Sequence, residues 1–269
     1  MIAVGTAGWS IPRASASAFP SDGHHLERYS RVMSCVEIDS SFYRSHRAET
    51  YARWAEETPA RFRFAVKLPR TITHEGRLRR AKVPLEAFLS EVAGLAAKLA
   101  ILLVQLPPSF AFEPRAVRRF FALLRERHAG SVVCEPRHAT WFTPAAERML
   151  AAYRIARAAA DPARIDCAAQ PGGWLGPAGD GNGAPIYYRW HGSPRMYWSA
   201  YTDAWLKARA AEVNGWPAGS ECWCIFDNTA SGAALADALR FATMLGTAGA
   251  RGSEEPAGPA ALRRTRAKA

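Results

Sequence analysis

The sequence predicts an α/β fold: one TIM-barrel-like (β/α)8 domain over residues 1–247, irregular at its sixth unit. Three observations predict it. Eight apolar segments enriched in β-branched and aromatic residues begin near Ile2, Met33, Phe62, Ile101, Val132, Ile155, Pro185 and Cys222. Their spacing averages about 31 residues, the length of one βα unit. Helical periodicity fills the gaps, over residues 26–32, 50–57, 85–100, 116–127, 145–153, 201–213 and 233–245.

Taken in order, each strand starts apolar and ends on an ionisable or amide group. The first, opening at Ile2, leads into Gly5-Thr-Ala-Gly-Trp9. The second ends Cys35-Val-Glu-Ile-Asp39, the third Ala65-Val-Lys67, the fourth Val104-Gln105 and the fifth Val133-Cys-Glu-Pro-Arg-His138. Pro84, Pro114 and Pro144 stand near the first turns of the helices that flank them, where a missing N–H costs nothing. The sixth strand reaches Asp161. Gln170-Pro-Gly-Gly and Gly179-Asp-Gly-Asn-Gly then read as a long loop with no helix. The seventh strand ends Tyr188-Arg-Trp-His191 and the eighth Phe226-Asp-Asn228. Beyond 247 the apolar periodicity stops, so residues 248–269 are expected to form a disordered basic tail.

In a barrel of this class the C-terminal rim carries the chemistry. Alternation puts Glu37 with Asp39, Glu135 with Arg137, and Arg189 with His191 on common strand faces. Unpaired, such charges would cost several kcal/mol each to bury. They must pair with one another, meet water in an open mouth, or bind a polar ligand. Glu37 and Glu135 are therefore the acid/base candidates, with His138 and His191 able to carry protons near neutral pH. Lys67, Arg137 and Arg189 are candidate anion clamps, and Gln105, Asp161, Asn228 and His74 further ligand contacts. Trp9, Tyr43 and Trp141 follow rim segments, where an aromatic ring can stack on a substrate. Glu37, Glu135, His138, Asp161 and His191 are also ligand types for a divalent metal, a candidate cofactor with no spacing signature here.

These residues resemble a known family. Gly5-Thr-Ala-Gly-Trp9, Glu37-x-x-x-x-Phe-Tyr43, Trp54-x-x-x-Thr-Pro59, Phe64-x-x-Lys67 and Thr73-His74 carry the likeness. So do Gln105-Leu-Pro-Pro108, Glu135-x-Arg-His138 with Trp141, Tyr188-x-x-His-Gly192 and Phe226-x-Asn-x-x-x-Gly232. Together they resemble the YecE-like family, domain of unknown function 72, from about Ile2 to Leu245. The resemblance implies a TIM-barrel-like fold and no particular reaction. The chain departs from the pattern at Asp227, where the family usually carries a second Asn.

Composition narrows the classes. The 269 residues are 49% hydrophobic and 22% charged, which excludes a wholly disordered chain, a fibre and a disulfide mini-scaffold. The net charge is +11, and the five cations and two anions from Arg251 onward supply only three of it. The folded body is basic in its own right, which suits a generally basic surface or a polyanion partner. Five cysteines, with a C-x-C pair at Cys222 and Cys224, match no zinc or redox spacing. A reduced, cytoplasmic setting fits that usage. The longest apolar run, from Ala93 to Leu106, is broken by Lys98 and is too short for a membrane span. No P-loop, strand-linked G-x-G-x-x-G, G-x-S-x-G or H-E-x-x-H motif occurs. The sequence thus favours an enzyme, a hydrolase first, acting on a small anionic or phosphate-bearing ligand. Its alternatives are a nucleic-acid binder using the Arg77/Arg79/Arg80/Lys82 loop, or a non-catalytic metabolite-binding barrel.

Overall fold

Strands and helices alternate along the chain in the computed structural model, which describes residues 1–176 and 183–249. The strands are β1 (Ile2–Thr6), β2 (Cys35–Ile38), β3 (Arg63–Lys67), β4 (Leu99–Gln105), β5 (Ser131–Glu135), β6 (Ala156–Arg157), β7 (Ala159–Asp161), β8 (Gly172–Gly173), β9 (Ile186–Trp190) and β10 (Cys222–Phe226). The helices are α1 (His25–Val32), α2 (Ser40–Tyr43), α3 (Ala48–Glu56), α4 (Lys82–Val92), α5 (Pro114–Arg127), α6 (Pro144–Ala152), α7 (Asp203–Asn214) and α8 (Ala233–Gly249).

The strands pair in two runs, β2-β3-β4-β5-β6-β8 and β1-β10-β9-β7, parallel throughout except for β8 against β6. The runs meet twice. A parallel bridge joins Ala7 to Glu37, where the Gly8 amide donates to the Glu37 carbonyl at 2.8 Å. On the far side, one strand is divided at Ala158, so that β6 pairs with β5 and β7 with β9. The order therefore runs β1 through β5, across β6 and β7, to β9, β10 and back to β1. This is a TIM-barrel-like arrangement.

Side chains alternate across the strands with period two. Ala3, Cys35, Ala65, Ile101, Leu103, Val133, Ala158, Tyr187 and Ile225 form the inner core. Val36, Phe64, Val66, Leu102, Val132 and Tyr188 face outward into a larger core shared with the helices. Tyr29 clips β1 to β2: its hydroxyl accepts from the Thr6 amide at 2.9 Å and donates to the Cys35 carbonyl at 3.1 Å. Gly5 makes that approach sterically feasible, because a Cβ there would lie 2.2 Å from the Cys35 oxygen. Gly5→Ala is expected to cost about 2–3 kcal/mol in urea unfolding, the range for overpacking a tight core. An unchanged midpoint would show that the two strands can part without loss.

Two elements differ from the sequence reading. The helix expected over 85–100 ends at Val92, and a tight turn over 93–98 places Ala96 at a left-handed φ of 48°. That residue cannot continue a helix, and Leu99 and Ala100 belong to β4 instead. Unit six has no α-helix after its strand among the described residues. After β7 it makes a short turn over Asp166–Ala169 and returns as β8. Residues 177–182 of the predicted loop lie outside the described residues. Helix α8 reaches Gly249, and the rest of the predicted tail, 250–269, also lies outside them.

Candidate functional site

The inward register that buries Cys35, Ala65, Leu103, Val133, Tyr187 and Ile225 places Glu37, Lys67, Gln105, Glu135, Arg189 and Asp227 two residues further on. The apolar filling of the barrel thus ends in a polar layer at the C-terminal ends of the strands. All six are buried, Glu37 and Arg189 completely.

Arg189 is the hub. Its Nε and Nη2 donate to the two Glu37 oxygens at 3.0 and 2.6 Å, a bidentate pair. Nη2 also reaches Asp227 Oδ2 at 3.0 Å, and Nη1 donates to Glu135 Oε2. The other Glu135 oxygen accepts from Arg137 Nε at 2.9 Å and lies 3.2 Å from His191 Nε2. His191 Nδ1 meets Asp227 Oδ2 at 2.9 Å, and Tyr187 donates to Glu37 Oε2 at 2.8 Å. Arg137 Nη1 reaches outward to the Tyr197 hydroxyl at 2.8 Å. With His191 protonated, three cations face three carboxylates.

The surroundings push the two glutamates apart. Burial raises the Glu37 carboxyl above its ordinary range, outweighing the attraction of Arg189. Burial acts on Glu135 in the same direction, but Arg137, Arg189 and His191 together hold it well below. Asp227 is likewise lowered against burial, by Arg189 and His191. His191 is raised above 6.5, since Glu135 and Asp227 overcome its burial. Such separation of neighbouring carboxyls is what acid–base chemistry requires.

These directions set a pH dependence. The stabilisation from charged His191 is complete below its unfolded value near 6.5 and is lost as pH rises through the higher folded value. Glu135 and Asp227 contribute above their unfolded values of 4.5 and 3.8 and lose that contribution on acidification. Urea unfolding should therefore weaken on the alkaline side of 6.5, and His191→Gln should flatten that limb. A wild-type curve level from pH 6 to 9 would remove the charged role of His191.

A second ion pair stands beside the network. Lys67 Nζ lies 2.7 Å from Asp39 Oδ1 and 4.2 Å from the centre of the Phe42 ring. His74 packs edge-on to Phe42, with ring centres 4.8 Å apart. Its pKa falls to about 4, first through burial and then through Lys67, Arg137 and Arg70. Burial is the larger cause, and the three cations outweigh the opposing charge of Glu135. A groove of 290 Å³, lined by Trp9, His25, Asp39, Arg44, His46 and Trp54, opens beside the pair. A cavity of 30 Å³, room for a water or two, adjoins Glu135, Arg137 and His191.

The structure therefore brings together Glu37, Glu135, Arg137, Arg189 and His191 directly, with Lys67, His74 and Trp9 nearby. Other predicted residues are engaged outside the charged network. Trp141 is fully buried against Phe110 and Phe112 and donates to the Phe110 carbonyl at 2.9 Å, which leaves no ring face for a ligand. His138 caps the turn Ala139–Trp141 by accepting from the Thr140 amide. Asn228 is buried and donates to the Ser199 carbonyl and to Asp237, tying the loop after β10 to α8. Gln105 donates to the Leu106 carbonyl, and Asp161 accepts from the Tyr201 hydroxyl at 2.8 Å. Tyr43 is 68% exposed on α2, in edge contact with Phe42. Asp227 joins the network with no role foreseen for it. The period-two step from Trp223 and Ile225 was the signal.

The family model described as "Protein of unknown function DUF72" matches residues 3–261. The chain belongs to the DUF72 family. Among relatives of this DUF72 chain, the "UPF0759 protein YecE" of Escherichia coli strain K12 is 34% identical over 110 residues, 41% of this chain and 39% of that protein. The "UPF0759 protein YunF" of Bacillus subtilis strain 168 is 31% identical over 157 residues, 54% of this chain and 53% of that one. The aligned parts thus span about half of each relative or less. A DUF72 family protein from Thermotoga maritima superposes with a TM-score of 0.72 at 23% identity, over 91% of this chain and 99% of its own. Another, from Enterococcus faecalis, gives 0.71 at 19% identity, over 98% and 100%. At these identities the likeness establishes the TIM-barrel-like fold alone.

Of the candidate metal ligands, Glu37 and Glu135 pair with Arg189 and Arg137, and Asp161 accepts from the Tyr201 hydroxyl. Among the described residues no three His, Cys, Asp or Glu are grouped to hold an ion. No described helix is long and apolar enough to cross a membrane.

Proposed function

We propose that this protein hydrolyses a small phosphate-bearing substrate at the rim formed by Glu135, His191, Arg137 and Lys67. The observation that carries the reading is the 30 Å³ cavity that touches Glu135 and His191 together, the carboxyl lowered by its cations and the imidazole raised by its carboxylates. A water there has a base and an acid within one hydrogen-bond shell. Glu135 takes a proton from the water as the water oxygen forms a bond to phosphorus. The ester P–O bond breaks, and His191 protonates the departing oxygen. Arg137 and Lys67 meet the phosphoryl charge, and the neutral His74 marks where their fields overlap with that of Arg70. Glu37 and Asp227 are positioning residues, because they act on the reaction through Arg189 and His191.

The test is turnover of p-nitrophenyl phosphate and bis(p-nitrophenyl) phosphate between pH 5 and 9. Saturable release of nitrophenol that falls as His191 loses its proton supports the reading. Failure to turn over either ester would overturn it, and so would turnover that inorganic phosphate does not inhibit.

A further inference from the structure

One charged concavity plays no part in the rim chemistry. It is a groove of 580 Å³ between the turn that precedes α4 and the first turns of α5. Arg79, Arg80, Lys82, Arg115 and Arg119 line it, with Glu113 as the lone carboxylate and Leu78, Ala81 and Leu123 as apolar floor. Arg79 is engaged with Glu113 at 2.5 Å. Arg80, Lys82, Arg115 and Arg119 make no ion pair or side-chain hydrogen bond with any described residue.

That grouping works against the local fold. Helix N-termini carry partial positive charge and favour acidic residues in the first turn. Neither α4 nor α5 has an acid there, while Lys82 opens the first and Arg115 stands second in the other. Glu113, the residue before α5, turns to Arg79 instead of capping the helix. The turn itself holds Arg77, Leu78 and Arg80 at left-handed φ values of 45°, 61° and 50°, which non-glycine residues seldom adopt. Four unpaired cations, two helix ends of the same sign and a strained turn converge on one hollow. An anion with several charges would answer the unpaired cations and both helix ends.

We propose that this groove binds a small organic polyphosphate, a nucleoside di- or triphosphate. Its volume falls within the range of small-molecule sites, roughly 300–1,000 Å³. Guanidinium groups from two sides suit successive phosphates, and the apolar floor suits the organic moiety. A single nucleic-acid strand would call for exposed aromatic rings on which bases stack, and the only ring in the lining, Phe120, is 1% exposed; a duplex, bound through its phosphates alone, is the competing ligand that the titration includes. The inference is independent of the rim reading.

Isothermal titration with ATP, inorganic tripolyphosphate and a short DNA duplex tests it on the full chain. ATP should bind saturably and more tightly than tripolyphosphate. Arg80→Gln with Arg119→Gln should weaken it about a hundredfold, at roughly one decade per lost charge-assisted contact. Glu113→Gln, which frees Arg79, should tighten it several-fold, a gain that misfolding cannot mimic. Arg115→Glu should abolish binding yet raise Tm by roughly 1–4 °C, because it replaces the wrong charge at a helix N-terminus. Glu135→Gln, at the rim, should leave ATP affinity unchanged. Equal affinity for tripolyphosphate would overturn the role of the apolar floor. Loss of binding in Glu135→Gln, or indifference to the arginine substitutions, would overturn the site. Tighter binding of duplex DNA would overturn the ligand class.

Discussion

Arg189→Met should cost about 3–5 kcal/mol of folding stability, the penalty for breaking a buried charge network from one side. Against a total of roughly 5–15 kcal/mol, that leaves a marginal protein. The loss is not spread evenly. Glu135 keeps Arg137 and His191, and Asp227 keeps His191. Glu37 keeps only the Tyr187 hydroxyl for its side chain, inside a completely buried site. Burial already raises its carboxyl with Arg189 present, so without Arg189 it should rise further. Two consequences separate this account from simple loss of packing. The variant should lose less stability at pH 5 than at pH 8, because acid neutralises Glu37. Adding Glu37→Gln should restore a large part of the loss, a coupling that a double-mutant cycle measures. Urea unfolding at the two pH values checks both. A penalty below about 1 kcal/mol, or one equal at both pH values, would mean that the carboxylates find water or other partners.

The barrel was legible because its strands are buried on both faces and read as apolar runs, each opening within about two residues of its observed start. The pieces that escaped were short. α2 and the turn over Thr71–Glu75 are each about one helical turn, too brief to show a period. The turn at Ala96 was hidden for another reason. Alanine gives no sign of a left-handed φ, so the helix seemed to run on into β4. Within the site, Glu37, Glu135 and Arg189 were visible through strand alternation, which a parallel strand enforces. Asp227 stands one inward step beyond Ile225 by the same rule, but its departure from the family pattern drew attention away. Trp141 shows the opposite case. An aromatic residue after a rim strand looks available for stacking, whereas its indole N–H bonds to a carbonyl 31 residues earlier in the chain. Only tertiary contact shows that. The basic turn before α4 was readable as charge, but its enclosure by Arg115 and Arg119 of α5 was not.

Glu135→Gln should lower turnover by about 10²-fold or more, the usual contribution of a positioned base. The amide keeps the shape of the side chain and cannot take a proton from water. Its effect on folding should be smaller than that of Arg189→Met, about 1–3 kcal/mol, because Arg189 retains Glu37 and Asp227. Arg137 is also partly exposed and already donates to Tyr197, so solvent can screen its charge. His191, with Asp227 as its remaining carboxylate partner, should lose part of its raised affinity for a proton. The alkaline decline in stability should then begin at lower pH in the variant than in the wild type. Kinetics and unfolding on the same samples distinguish two roles for the carboxylate. If Glu135 is the base, turnover falls far more than the folded fraction does. If it serves only to close the barrel around Arg189 and Arg137, stability falls by roughly 3 kcal/mol or more while the folded molecules keep their activity. The second result would return the whole network to a structural role and leave the rim without its base.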